Sequence, residues 1–223
     1  MIIFTDLSEV LIRGIYGTED IVGSLYGLEN AKKFLARRHE VNDKILDLFR
    51  DKFEEDEYWK YFLSGSELSI DFSIDKLRKV LSRNIKKTVP GTLDLYLSIS
   101  SHPESISKEG IPSENKLDGR PDIYIVSDHI RGRVGQIKDY HPRVFKNVEG
   151  EYWSFDIGHV KGDKEFFPKV LEMSKIPVEK IVFIDDIETN IESARRNGIY
   201  SIQFYNAEQL KIDLKKIGFT FLE

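Results

Sequence analysis

Short apolar runs that stop abruptly at polar residues constrain this sequence more than any other feature. Ile2-Ile3-Phe4 stops at Thr5-Asp6-Leu7-Ser8, Ile123-Tyr124-Ile125-Val126 at Ser127-Asp128, and Ile181-Val182-Phe183-Ile184 at Asp185-Asp186; Tyr200-Ser201-Ile202-Gln203-Phe204-Tyr205 is a fourth run of similar kind. Runs this short, rich in β-branched and aromatic residues and without polar alternation, fit strands buried on both faces. Between the last two runs, Ile187, Ile191 and Ala194 fall on one helical face and Gly198 stands where a C-terminal cap belongs. Residues 164–175 carry the same period, with Phe167, Val170 and Leu171 on one side and Pro177 closing the segment. Strand, helix, strand in alternation implies an α/β fold built on a doubly wound parallel sheet.

The character changes between the first run and residue 88. There the pattern is helical, highly charged and free of strand-like segments, with helices expected over 31–38, 41–53, 57–63 and 74–86. We therefore divide the chain into an α/β core, residues 1–16 and 89–223, and a small inserted helical cap, residues 17–88. Tyr58, Trp59, Tyr61 and Phe62 are expected to form the cap's own core. Pro90-Gly91 marks the return to the α/β core, and a short helix is expected over 92–99. Residues 100–121, rich in Ser, Pro, Gly, Glu and Lys, read as a loop or hairpin.

Composition removes several classes of function. The 223 residues contain 33 basic and 38 acidic side chains scattered along the chain, a net charge of -5, so no basic face is available to nucleic acid. There is no cysteine, which excludes disulfides, thiolate nucleophiles and zinc–cysteine sites. No apolar run approaches the ~20 residues of a membrane span, and the N-terminus lacks the basic flank of a signal peptide. The expectation is a cytoplasmic protein without a membrane or nucleic-acid partner.

In an open parallel sheet, ligands bind in the crevice beyond the carboxyl ends of the strands. Asp6, Ser127, Asp185 and Asp186 would converge there, with Lys161 reaching in from the loop before its helix. Clustered carboxylates repel one another unless a cation neutralises them, and Mg²⁺ suits oxygen ligands. Taken singly, each residue has a plainer reading: Asp6 as a turn residue, Ser127 and Asp186 as helix caps, Lys161 as one solvated lysine among many. His129, His141 and His159 lack ligand spacing and stay unassigned.

Four segments together carry a family resemblance: Ile3-Phe4-Thr5-Asp6-Leu7-Ser8-Glu9, Ile125-Val126-Ser127-Asp128, Lys161-Gly162-Asp163 ahead of a helix, and Ile184-Asp185-Asp186 followed by Asn190. Their order at the strand ends resembles the haloacid dehalogenase-like (HAD) superfamily, near the branch of sugar-phosphate phosphatases and the phosphatase domain of soluble epoxide hydrolase. The resemblance implies a Rossmann-like core with a helical cap and a Mg²⁺-dependent phosphatase or phosphotransferase acting on a small phosphorylated metabolite through an aspartyl-phosphate on Asp6. It further implies metal ligation by Asp6, the Ser8 carbonyl and Asp186, and phosphate binding by Ser127, Asp128 and Lys161, with Asp185 and Asn190 supporting them.

Three positions depart from the family's pattern. Ser8 replaces the aspartate that normally acts as general acid, a loss worth roughly 10²- to 10⁴-fold in rate. Asp128 puts an anion where a phosphate-contacting Asn is common, and Glu9 replaces a Gly in the turn. Two rival readings follow: a non-catalytic HAD-like protein that binds a phosphometabolite or a partner protein, and a dehalogenase-type hydrolase, against which the paired Asp185-Asp186 argues.

Overall fold

The computed structural model describes residues 1–15, 17–68, 72–101 and 121–219. The segment expected as a loop or hairpin lies, for residues 102–120, outside the described residues; its first two residues instead complete a helix. Five parallel strands form the sheet: β1 (Ile2–Thr5), β2 (Asp122–Ser127), β3 (Gly150–Trp153), β4 (Ile181–Asp185) and β5 (Tyr200–Gln203), in the spatial order β3-β2-β1-β4-β5. The register sets Ile3 beside Ile123 and Val182, so β1 lies between β2 and β4 and the three polar termini emerge side by side.

The apolar runs are buried on both faces, as their lack of alternation requires. Ile3, Ile123, Ile125, Val182 and Ile184 join one core cluster, and Phe4, Val126, Ile181 and Phe183 join the other. The first face is covered by α6 (Thr92–Ser101), α7 (Val134–Tyr140), α8 (Pro142–Phe145) and α12 (Ala207–Lys216) through Leu95, Ile99, Ile137, Val144, Leu210 and Leu214. The second is covered by α10 (Phe166–Ser174) and α11 (Glu188–Arg196); a short helix, α9 (Ser154–Ile157), follows β3. Phe167 stands edge-on to Phe183 at 5.1 Å, and each fully buried phenylalanine contributes about 1.5–3 kcal/mol.

Between β1 and α6 the described residues form five helices: α1 (Thr18–Tyr26), α2 (Leu28–Glu40), α3 (Asn42–Phe49), α4 (Glu55–Ser64) and α5 (Ile74–Ile85). Tyr58, Trp59 and Phe62 are buried there, with Trp59 5.6 Å from Phe62 and Phe34 5.1 Å from Phe62. Tyr61 departs from the expected cluster: it is 46 % exposed, with Lys44 and Arg37 over its ring. The chain leaves and re-enters the sheet side by side, because the Arg13 N–H donates to the Lys87 carbonyl (2.9 Å) and the Val89 N–H to the Leu11 carbonyl (3.0 Å). Among the described residues, no helix is long and apolar enough to cross a membrane.

Two further differences from the sequence reading have clear physical causes. β3 was not anticipated, since Gly150-Glu151-Tyr152-Trp153 is a short edge strand with a charge inside it; glycine suits position 150, where a Cβ would press on the Tyr124 ring at 3.0 Å. Ile187 does not share the buried face of Ile191 and Ala194: it precedes α11 and is 36 % exposed.

Candidate active site

The strand order changes direction at β1, whose neighbours leave by crossovers to opposite sides, and a crevice opens beyond the carboxyl ends of β1, β2 and β4. Asp6 follows β1, Ser127 and Asp128 stand at the end of β2, and Asp185 and Asp186 at the end of β4. The backbone locks Asp6 into position, with its N–H donating to the Ile184 carbonyl (2.8 Å) and the Leu7 N–H donating to its Oδ1 (2.7 Å).

Lys161 is wholly buried, 1 % exposed, rather than a solvated lysine. Its Nζ donates to Asp185 Oδ2 at 2.5 Å and lies 2.8 Å from Asp6 Oδ2. Burial opposes its charge, but Asp185, Asp6 and Asp128 outweigh that penalty and hold the ammonium well above the ordinary lysine range. Asp185 is saturated: besides Lys161, it accepts from the Ile187 N–H (2.8 Å) and from Asn190 Nδ2 (3.0 Å). Burial raises Asp185 above the usual carboxylate range, against the pull of Lys161.

Carboxylate oxygens of Asp6, Asp185 and Asp186 all lie within 4.8 Å of one another. Burial, then the charges of Asp6 and Asp185, push Asp186 up to about 7. Three carboxylates against one ammonium leave an excess of negative charge, and the donor set is all oxygen, so these residues fit a hard divalent cation. Asp128 is pushed up to about 7 by burial, although Lys161 pulls the other way, and it accepts the Lys161 backbone N–H (3.1 Å).

Ser127 is completely buried, and its Oγ has no hydrogen-bond partner among the described residues. It does not cap a helix: the next helical turn, Arg131–Arg133, starts four residues later with Ile130 in the capping position. Ser8 lines the crevice, held beside the chain at Gly14, where a Cβ would come within 2.9 Å of Ser8 Cβ. Glu9 preserves the turn that a glycine would make easily, adopting φ 61°; its carboxylate accepts the Gly14 N–H and Arg13 Nη1, both at 2.8 Å, which offsets the strain of that conformation.

The crevice is a cavity of about 240 Å³ that gathers Asp6, Ser8, Asp128, Lys161, Asp186 and Asn190 at the sheet edge. Leu46, Phe49, Leu81 and Ile85 of α3 and α5 form much of the facing wall. His129, which sequence spacing left unassigned, also lines it; burial lowers its imidazole to about 4, and Nδ1 accepts the Ile130 N–H (2.9 Å). Its only sequence signal was adjacency to the strand end. Arg50 and Asp163 pair bidentately at 2.8 and 2.7 Å, joining α3 to the loop that carries Lys161; their 113-residue separation left no local signal.

Comparison with known proteins bears on the fold. No family model matches the sequence. A HAD family enzyme from Bacteroides thetaiotaomicron, crystallised with magnesium and inorganic phosphate, is similar over 92% of this chain and 93% of its own, at TM-score 0.63 and 17% identity. L-2-haloacid dehalogenase from Xanthobacter autotrophicus, with chloropropionic acid covalently bound, is similar over 97% of this chain and 83% of its own, at TM-score 0.61 and 11% identity. Two curated sequences match in part: drimenol cyclase from Aspergillus calidoustus, 39% identical over 66 residues (28% of this chain, 12% of that one), and the uncharacterized protein S3 of Diadromus pulchellus idnoreovirus 1, 30% identical over 119 residues (52% and 9%). The chain thus spans about a tenth of the length of the curated relatives it matches. The fold is that of the HAD enzymes.

Proposed function

We propose that this chain is a magnesium-dependent phosphatase or phosphotransferase acting on a small phosphorylated metabolite, with residues 17–88 serving as a cap over the site. The observation that carries the reading is the Asp6–Lys161–Asp185 ion cluster, buried at the sheet's switch point with Asp186 beside it and a cavity in front. Magnesium and phosphate in the Bacteroides enzyme of the same fold support it.

The Asp6 carboxylate attacks phosphorus; the bond from phosphorus to the leaving oxygen breaks, and an aspartyl-phosphate forms. Water then hydrolyses that acyl phosphate, releasing inorganic phosphate and restoring Asp6. Lys161 aligns the nucleophile and neutralises charge as the phosphoryl group arrives, while Asp185, held by Asn190 and the Ile187 N–H, fixes Lys161 in place. The unpartnered Ser127 hydroxyl and a protonated Asp128 serve as donors to phosphoryl oxygens. Asp6, the Ser8 carbonyl and Asp186 would hold the metal, which when bound supplies Lewis-acid neutralisation of the transferring group. Ser8 gives the leaving oxygen no acidic proton, so turnover rises with the acidity of the leaving alcohol.

The test is a panel of aryl, acyl and alkyl phosphates, assayed with and without Mg²⁺. Metal-dependent release of phosphate, lost by at least ~10³-fold in Asp6→Asn, is expected. Folded protein that turns over nothing would favour a non-catalytic phosphometabolite binder, the reading that Ser8 keeps open. Ser8→Asp is expected to raise turnover of alkyl esters by up to roughly 10²-fold.

A further inference from the structure

His129 has no part in the chemistry proposed for the sheet edge, yet the fold fixes its imidazole at the cavity. Its backbone N–H donates to Ser154 Oγ (3.1 Å), and its ring stands edge-on to Trp153 at 6.1 Å. The Ile130 N–H donates to Nδ1 at 2.9 Å, so Nδ1 carries no proton and the ring is neutral, with its hydrogen on Nε2. Nδ1 faces the main chain that follows, which turns Nε2 away from it. The residue is 6 % exposed and lines the cavity, and Nε2 has no hydrogen-bond partner among the described residues. Burying such a donor unpaired is unfavourable, a cost that an oxygen of a bound ligand relieves.

Displacement at phosphorus runs in line, with the attacking and leaving oxygens on opposite sides. Asp6 attacks from the sheet edge, so the leaving oxygen faces the cavity, where Ser8 offers it no acidic proton. Resting on the phosphatase reading, we infer that His129 is a further catalytic residue, its Nε2–H donating a hydrogen bond to the oxygen that leaves phosphorus. The bond from phosphorus to that oxygen breaks with its electron pair going to the oxygen. The imidazole keeps its own proton and stabilises the charge as it develops, and a proton from water completes the alcohol. A neutral N–H fixed at a developing oxyanion acts as an electrophile, worth roughly 10²- to 10³-fold in rate.

The test is the leaving-group dependence of kcat/KM. Acetyl phosphate and aryl phosphates from dinitrophenyl to phenyl are assayed with Mg²⁺ in the full chain, in His129→Phe and in His129→Gln. His129→Phe is expected to lose about 10²-fold on phenyl phosphate and less than about tenfold on acetyl and dinitrophenyl phosphates, in kcat rather than KM, because a poorer leaving group has more charge to stabilise. His129→Gln, which keeps a side-chain N–H of similar reach, is expected to recover part of that loss. Independently of turnover, ¹⁵N spectra of the histidine-labelled chain at neutral pH, assigned through His129→Gln, are expected to show His129 protonated on Nε2 and bare on Nδ1. An equal loss on every ester, or none, in protein that hydrolyses acetyl phosphate through Asp6 overturns this inference alone, and so does the opposite tautomer. Protein that turns over none of these esters removes the phosphatase reading, and the inference falls with it.

Discussion

The sheet edge and the helical segment meet the same cavity with opposite chemistry. The edge brings Asp6, Asp128, Asp185 and Asp186 around one buried ammonium, each held on the end of a strand or in the first residues after it. The helical segment turns Leu46, Phe49, Leu81 and Ile85 toward the cavity and places charges in a clasp on the core: Arg50, just after α3, bonds Asp163, Glu55 of α4 bonds Arg133, and Asp51 bonds Arg131. Strand ends are rigid and close together, so they suit chemistry that tolerates little displacement. Helices that meet the core through packing and this clasp can change the residues facing the cavity without disturbing the strand ends. Under the proposed function, reactivity and selectivity fall to separate parts of the chain.

That division can be broken experimentally, and the largest effect is expected at Lys161. Lys161→Met leaves buried carboxylates without their cation; unfolding by urea should show a loss of about 3–5 kcal/mol without metal, together with loss of turnover. A variant as stable as the parent would mean that the cluster is held by something other than this pair. Next, saturating Mg²⁺ at about a hundred times its Kd should stabilise the protein by about 2.7 kcal/mol in thermal unfolding. Asp186→Ala should lose this gain and Leu46→Asn should keep it; equal loss in both would erase the boundary between edge and wall.

Arg50→Gln loosens the clasp and is expected to cost up to about 1 kcal/mol, because the pair is partly exposed. Its signature is a several-fold rise in KM with kcat less affected, measured on whichever ester the panel identifies. A further effect concerns pH. Asp128 is raised to about 7 in the folded chain from ~3.9 in the unfolded one, so the folded state retains a proton that the unfolded state has released. Its stabilising contribution is complete below about pH 4 and disappears as pH rises through 7. The midpoint of thermal unfolding in metal-free protein should therefore fall between pH 5 and 8 more steeply than in Asp128→Asn.

Legibility followed the range of the forces involved. β1, β2 and β4 announced themselves because a strand buried on both faces must be apolar throughout, and the polar residue that ends such a run stands at the sheet edge almost by definition. β3 escaped because an edge strand can carry Glu151 and still bury Trp153. The helices over 134–145 escaped because their buried positions, Ile137 and Val144, are too sparse to show a period. Ser127 looked like a cap because serine is a good one, yet the helical turn begins only at Arg131, which leaves its hydroxyl buried and unpartnered. Glu9 in a glycine position pointed to an altered turn; two hydrogen bonds from its side chain let it keep φ 61° instead.

By itself, the sequence determined the fold class and the identity of the acidic edge, because hydrophobic period and strand termination are local properties that a short window records. Only the tertiary structure decided that Lys161 is buried between Asp6 and Asp185, that His129 and the inner faces of α3 and α5 line the cavity, and that Arg50 reaches Asp163. Each of those facts depends on which distant segments meet, and packing, not local preference, selects them.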